Sequence, residues 1–297
     1  IHNVYDVRDL FFQEVSSEGF NRYDMIVRLL AIENYYGKNE YGFNLYRKMQ
    51  AARIGIDSVE PAVFRFRKLI ESYENNGYDS SSEIELDSCL HLYDGSHRMA
   101  MALYYNYYFI NAKVREVSNS VYYGIKWFYI NGFSNEECKL LETKYIELYK
   151  RLSIPFVCSI WNPAYEFFED ITKNLNLFGT VLQVKDFELS KRDYIFYTKG
   201  IYYVDDIESW KIDKKIEYMT SISDNDKFHL RMVTFVMDSP DYRIKSSTKL
   251  PLSKKSEFIK KILRDSYKKK INNYFHDIIL HIGDNYCQNE YIYKFLN

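Results

Sequence analysis

Glycine and proline are scarce in this chain, 11 and 5 among 297 residues, and no repeat or low-complexity segment interrupts it. Cysteine is scarcer still. Cys89, Cys138, Cys158 and Cys287 are scattered with no CxxC pair, which excludes a zinc knuckle or a disulfide scaffold and leaves reduced, structural thiols as the expectation. An excess of either charge sign is also missing. The 40 basic and 41 acidic side chains leave a formal charge of -1, so no global field draws the protein onto nucleic acid or an anionic membrane, and any basic site has to be local. No stretch approaches the ~18 consecutive apolar residues of a membrane span, and Ile1 to Leu10 lacks the basic and apolar regions of a signal peptide. A cytoplasmic protein without a membrane span is expected.

Aromatic residues are abundant, with 30 tyrosines and 20 phenylalanines, but a compositionally biased genome explains this as readily as function does. The 27% charged and 46% hydrophobic residues are the balance of a globular protein, and the length suits two modest domains. Helical spacing of apolar residues over Arg22 to Gln50, broken around Gly37, predicts two helices. AVFRFRKLIESYEN, Ala62 to Asn75, follows Pro61 and stops before Asn76-Gly77, both helix-boundary signals. Alternation at Ile84/Leu86 and Leu90/Leu92 around Asp87-Ser88 predicts a pair of short strands, Ser96 to Asn106 a helix, and Tyr108 to Val117 a further strand. The first domain is set at residues 1 to 120.

Residues 121 to 152 read as a helical connector, in which Ser134 before Glu136 and Glu137 is an N-cap with an acidic first turn. A second domain is set at residues 153 to 297: a strand at IPFVCSIW, a helix over Ala164 to Asn174, strands near Thr180 to Val184 and Tyr194 to Tyr197, a basic helix over Ser256 to Tyr274, and a short buried strand over Asp277 to Gly283. The fold class is therefore α/β (α+β), a first domain with N-terminal helices followed by a second mixed α/β domain.

The run YDGSHRMAMALYY, Tyr93 to Tyr105, carries the first chemical constellation. It places Asp, Gly, Ser, His and Arg where a strand runs into a helix. A helix N-terminus offers unpaired N–H groups and a partial positive charge, Ser96 is a good N-cap, and Gly95 lets a ligand come close to the backbone. Phosphate is the natural guest. Arg98 can grip its oxygens in a fork, His97 can carry a proton near neutral pH, and Asp94 can hold a metal, orient His97 or take a substrate proton. The plainer reading is that Asp94 and Ser96 only cap a helix and Arg98 is a solvated charge.

The segment Phe66 to Val117, with KLIESYENNGYD before EIELD and LHLYDGSHRMAMALYY, resembles the ParB and sulfiredoxin-like superfamily: a long helix, two short strands and a glycine-containing turn opening a helix. DGSHR, Asp94 to Arg98, is similar to the Asp-Gly-His-His-Arg turn of the free serine kinases in that group. The resemblance implies phosphate contacts at Gly95, Ser96, His97 and Arg98, with Asp94 beside the reacting phosphoryl group. The Pro-Ile pair common before the motif is Glu83-Ile84 here. No separate catalytic Glu aligns upstream, where Glu33, Glu71 and Glu83 are the candidates and Glu33 is preferred. Ser96 stands where sulfiredoxins have cysteine, which argues against sulfinic acid reduction. NRYDMIVRLLAIENYYG, YGFNLYRKMQ and YYGIKWFYINGF further resemble proteins of bacterial surface-polysaccharide gene clusters.

A second constellation gathers in the last sixty residues. Lys260, Arg264 and Lys268 share one helical face, Arg243 and Lys245 lie in SPDYRIKS, and His281, Asp284 and Asn285 end the short strand. Asp277 and His281 are an even number apart, which predicts one strand face. A solvated basic face is the plainer reading. A phosphorylated acceptor or nucleotide-sugar would account for these residues together, and Asp94 and Asp284 are the metal candidates.

The expectation is a nucleotide-dependent phosphotransferase using ATP or another nucleotide, with Mg²⁺, on a small hydroxyl-bearing acceptor such as a sugar or hydroxy amino acid. The rivals are a ParB-like nucleic-acid-binding protein or nuclease, which the acidic NEECKLLETKYIEL and near-zero charge disfavour, and a nucleotide-binding protein without catalysis.

Overall fold

The computed structural model describes residues 3–118, 122–153, 155–221, 227–237, 239–271, 274 and 277–297. Two compact units divide the chain, Ile1–Ser153 and Ile154–Asn297. Both mix helices with sheet.

Unit 1 opens with β1 (Asn3–Asp6), α1 (Val7–Gln13) and the hairpin β2 (Val15–Ser16) and β3 (Gly19–Phe20). The two helices expected around Gly37 are α2 (Tyr23–Tyr35) and α3 (Gly42–Ile54). They touch backbone to backbone, because a Cβ on Gly42 would lie 2.0 Å from the carbonyl oxygen of Leu30. Next, α4 (Val59–Asn76) buries Val59, Ala62, Val63, Phe66, Ile70 and Tyr73, the three-and-four spacing of one helical face, and ends at Gly77 with φ +72°. The predicted short strands are β4 (Ile84–Leu86) and β5 (Leu92–Asp94), antiparallel to each other. Then α5 (Ser96–Tyr105) crosses over to β6 (Phe109–Val114), which lies parallel to β4 and antiparallel to β1. The sheet order is β1-β6-β4-β5.

The unit closes with α6 (Ile125–Ile130) and α7 (Asn135–Leu152), the latter opened by a capping box between Ser134 and Glu137. The expectation of a connector over 121–152 is corrected here. Tyr145 of α7 stacks on Phe20 with ring centroids 4.7 Å apart and also meets Phe11 and Tyr23, so α7 belongs to the core of unit 1. Residues 119 to 121 lie outside the described residues.

Unit 2 contains β7 (Phe156–Ile160), a 3₁₀ turn over Asn162–Phe167, α8 (Phe168–Leu175), β8 (Thr180–Ser190), α9 (Lys191–Tyr202), α10 (Ser209–Ser221), β9 (Lys227–Val236), β10 (Tyr242–Ile244), β11 (Pro251–Ser253), α11 (Lys254–Tyr267), β12 (Leu280–Ile282) and α12 (Tyr286–Leu296). Its main sheet runs β12-β7-β9-β8, every pair antiparallel, and β10 pairs with β11. Three expectations change. The strand expected at Tyr194 to Tyr197 is helix: Ser190 caps α9 by accepting from the Asp193 amide, and Tyr194, Thr198, Ile201 and Tyr202 are buried at helical spacing. The basic helix starts at Lys254 under a Ser253 cap and stops at Tyr267, while residues 272 and 273 of the expected span are not among those described. The final strand holds only three residues. Asp277, at φ +54°, precedes it, so Asp277 and His281 do not share a strand face.

Candidate functional site

At the end of β5 the chain turns sharply into α5 through Gly95, which is left-handed at φ +97°. A Cβ there would sit 2.6 Å from Cγ2 of Ile84 on the neighbouring strand, so both conformation and space demand glycine. Gly95, not Ser96 as expected, is the N-cap, and no side chain caps the helix. The first helical bond runs from the Met99 amide to the Gly95 carbonyl. The amides of Ser96, His97 and Arg98 therefore form the donor-rich, partially positive end of α5.

Beneath the turn lies a buried charge network. Ser96 Oγ accepts a 2.8 Å hydrogen bond from Arg22, whose guanidinium also donates to the Leu92 carbonyl at 2.6 Å and forks onto Asp24 at 2.8 and 3.1 Å. Arg28 donates to Asp24 at 2.9 Å. Burial alone would raise the Asp24 carboxyl, but Arg22 and Arg28 hold it well below the usual carboxylate range. Glu14 accepts from the Leu92 amide at 2.8 Å, and its burial pushes its carboxyl up in spite of Arg22. This network grips β5 by backbone at Leu92 and α5 by side chain at Ser96, which sets the angle between strand and helix.

Above the turn opens a cavity of about 390 Å³ between α3, α4 and the start of α5. Its lining includes Arg53, Arg65 and Arg98 with a single carboxylate, Asp94. Arg53 is anchored, donating to Tyr123 Oη at 2.9 Å and to Gln50 at 3.1 Å. Among the described residues neither Arg65 nor Arg98 has a carboxylate in ion-pair distance. Two guanidiniums thus stand without counter-ions beside the positive end of a helix. Phe66, Ile54 and Leu69 supply an apolar wall. Asp94 is exposed at the mouth.

His97 is brought to the same cavity, but as a neutral ring. Burial, together with Arg28 and Arg53, lowers its pKa well below the ordinary histidine value. Its Nε2 lies 2.8 Å from Tyr46 Oη, and Gln50 donates to that same oxygen at 2.8 Å. The phenol proton is then free for Nε2, which leaves Nδ1 as the proton-bearing nitrogen. Phe66 holds the ring edge-on at 4.6 Å. His97 is therefore a hydrogen-bonding group here, not a cation.

Glu33 is not brought to this site. It pairs with Lys144 of α7 at 2.5 Å and lines a separate cavity with Lys38, Tyr104 and Arg151. Glu71 pairs with Lys68 on the exposed side of α4. The participants missed in the sequence are Tyr46, Gln50, Arg53 and Arg65. A signal existed for Arg65: it lies one helical turn before Leu69, beside the buried face of α4 in FRFRK, and tertiary packing alone adds the α3 residues.

In unit 2 the second constellation is partly assembled. Lys260 and Lys245 both reach Asp284, at 2.9 and 3.5 Å, and Arg264 donates to the Leu280 carbonyl at 2.8 Å while pairing with Asp277 at 3.3 Å. His281 Nδ1 lies 3.6 Å from Asp205, a residue outside the expected set. Arg243 turns away to Glu257, and Asn285 caps α12 through the Gln288 amide. Among the described residues no group of three or more His, Cys, Asp or Glu side chains, around Asp94, Asp284 or elsewhere, is placed to hold a metal ion. No described helix is long and apolar enough to cross a membrane. Compared with protein-family models, curated proteins and solved structures, the chain finds no match.

Proposed function

We propose that unit 1 is a ParB/sulfiredoxin-like nucleotide-binding domain, and that the chain is a nucleotide-dependent phosphotransferase acting on a small hydroxyl-bearing acceptor. The observation that carries this reading is that Arg65 and Arg98, with no carboxylate in ion-pair distance among the described residues, line one cavity with the N-terminus of α5, which no side chain caps. Phosphate oxygens take the free amides and the two forks, and the apolar wall of Phe66, Ile54 and Leu69 receives the flat base or ribose.

In the transfer itself the acceptor hydroxyl attacks the terminal phosphorus, the bond from that phosphorus to the nucleotide's bridging oxygen breaks so that the nucleotide shortened by one phosphate leaves, and the hydroxyl proton passes to Asp94. Arg65 and Arg98 neutralise charge on the equatorial oxygens, and neutral His97 donates a hydrogen bond without adding charge. The cavity supplies a single carboxylate, Asp94, which serves as proton acceptor, so a Mg²⁺ ion would come bound to the nucleotide and would offset charge on its phosphates.

Purified chain incubated with ATP, ADP or CTP, Mg²⁺ and a pool of sugars and hydroxy amino acids is expected to yield a product heavier by one phosphate in mass spectrometry. Asp94→Asn is expected to lower that yield by about 10²-fold or more while leaving nucleotide binding within a few-fold. Bound nucleotide without product would leave a binding protein and remove the transferase reading.

A further inference from the structure

Charge is spread unevenly in unit 2. Residues 254–270, α11 and the turn that follows it, carry eight basic and two acidic side chains in a chain whose formal charge is -1. Lys260 and Arg264 turn inward, to Asp284 and to the Leu280 carbonyl. The solvent face is a different one: Lys254, Phe258, Lys261, Asp265 and Lys268 recur at three-and-four spacing and are all exposed, while Ile259, Leu263 and Tyr267 are buried. Lys254 pairs with Asp241, Lys268 with Asp265, and Glu257 with Arg243, and Lys270 lies 4.9 Å over the Tyr267 ring. Lys255, Lys261 and Lys269 are left with no carboxylate in ion-pair distance among the described residues.

Phe258 is out of place on such a face. Its side chain is 55% exposed, one helical turn after Lys254 and Lys255 and one turn before Lys261. Phe178 meets its ring edge-on with centroids 6.3 Å apart, and Leu177, the chain neighbour of Phe178, is 78% exposed. An apolar ring set among lysines without counter-ions combines two demands, an apolar medium and negative charge. The boundary of an anionic bilayer meets both: the ring enters between headgroups and acyl chains, and the lysine stems lie along it with their ammonium groups at the phosphates.

We propose that α11 docks unit 2 onto an anionic phospholipid surface, with Phe258 at the headgroup boundary and Lys255, Lys261 and Lys269 on lipid phosphates. Nucleic acid fits this face less well, since its phosphates take the lysines but its backbone offers an exposed leucine such as Leu177 nothing to enter. The attachment is peripheral and reversible. Each lysine near such a surface contributes about fivefold in affinity, one ring adds about tenfold, and no described helix is long and apolar enough to cross the membrane. The docking surface lies within unit 2 and does not rest on nucleotide binding in unit 1.

The test is co-sedimentation of the full chain with vesicles of phosphatidylcholine alone and of phosphatidylcholine containing about one third phosphatidylglycerol, each at low and at raised salt. Binding to the anionic vesicles is expected to exceed binding to the neutral ones by about tenfold or more and to weaken as salt rises. Phe258→Ser is expected to weaken it by about tenfold, and Lys255→Gln, Lys261→Gln and Lys269→Gln combined by about 10²-fold. None of these side chains is buried, so circular dichroism is expected to be unchanged in both variants. A shift assay with duplex DNA at matching salt tests the other polyanion. No binding to anionic vesicles, equal binding to neutral ones, DNA binding tighter than vesicle binding, or vesicle binding indifferent to either variant would overturn the docking surface.

Discussion

Gly95 is the residue on which the unit 1 site turns. With φ at +97° and Ile84 within 2.6 Å of any Cβ, Gly95→Ala is expected to cost about 1–3 kcal/mol and to displace the first amides of α5. Urea unfolding measures the first effect, and loss of nucleotide affinity beyond what the folded fraction explains measures the second. His97 makes a prediction in pH. Its folded pKa is depressed, so below about pH 6.5 the unfolded chain binds more protons and stability falls as pH falls. Between pH 7.5 and 5.5 wild type is expected to lose about 1 kcal/mol more than His97→Gln, read as the difference between two denaturation series. Equal losses would show that the ring titrates freely. Asp24→Asn, which leaves Arg22 and Arg28 without their shared carboxylate, is expected to cost about 3–5 kcal/mol and to loosen the Ser96 contact.

At the scale of elements, what could be read in advance and what could not divide along physical lines. The β5–α5 junction was legible because glycine, a helix N-terminus and a fork-shaped cation each have local reasons to adjoin. The helices α2, α3, α4 and α7 were legible from periodicity and caps, as the Ser134 capping box shows. The segment Tyr194 to Tyr197 misled because four residues of Tyr, Ile, Phe and Tyr favour a strand, and the deciding signal, Ser190 capping through Asp193, lay outside that window. Tyr46, Gln50 and Arg53 could not be placed from sequence at all, since only the packing of α3 against α4 and α5 brings them to the cavity. Glu33 failed for the same reason in reverse: nothing local announces Lys144, more than a hundred residues on. Asp205 carries no motif, and only burial beside His281 marks it out.

For the molecule as a whole, the unit 1 cavity is lined entirely by residues between Tyr46 and Arg98, inside Ile1–Ser153. A fragment of residues 1–153 is therefore expected to fold and to bind nucleotide within a few-fold of the full chain. Most direct of all is a titration of the full chain with ATP, ADP and CTP in the presence of Mg²⁺, run on wild type, Arg98→Ala and Arg65→Ala. Saturable binding by wild type, weakened by about tenfold or more in each variant, is the expected result. Absence of nucleotide binding, or binding that survives both substitutions unchanged, would contradict it.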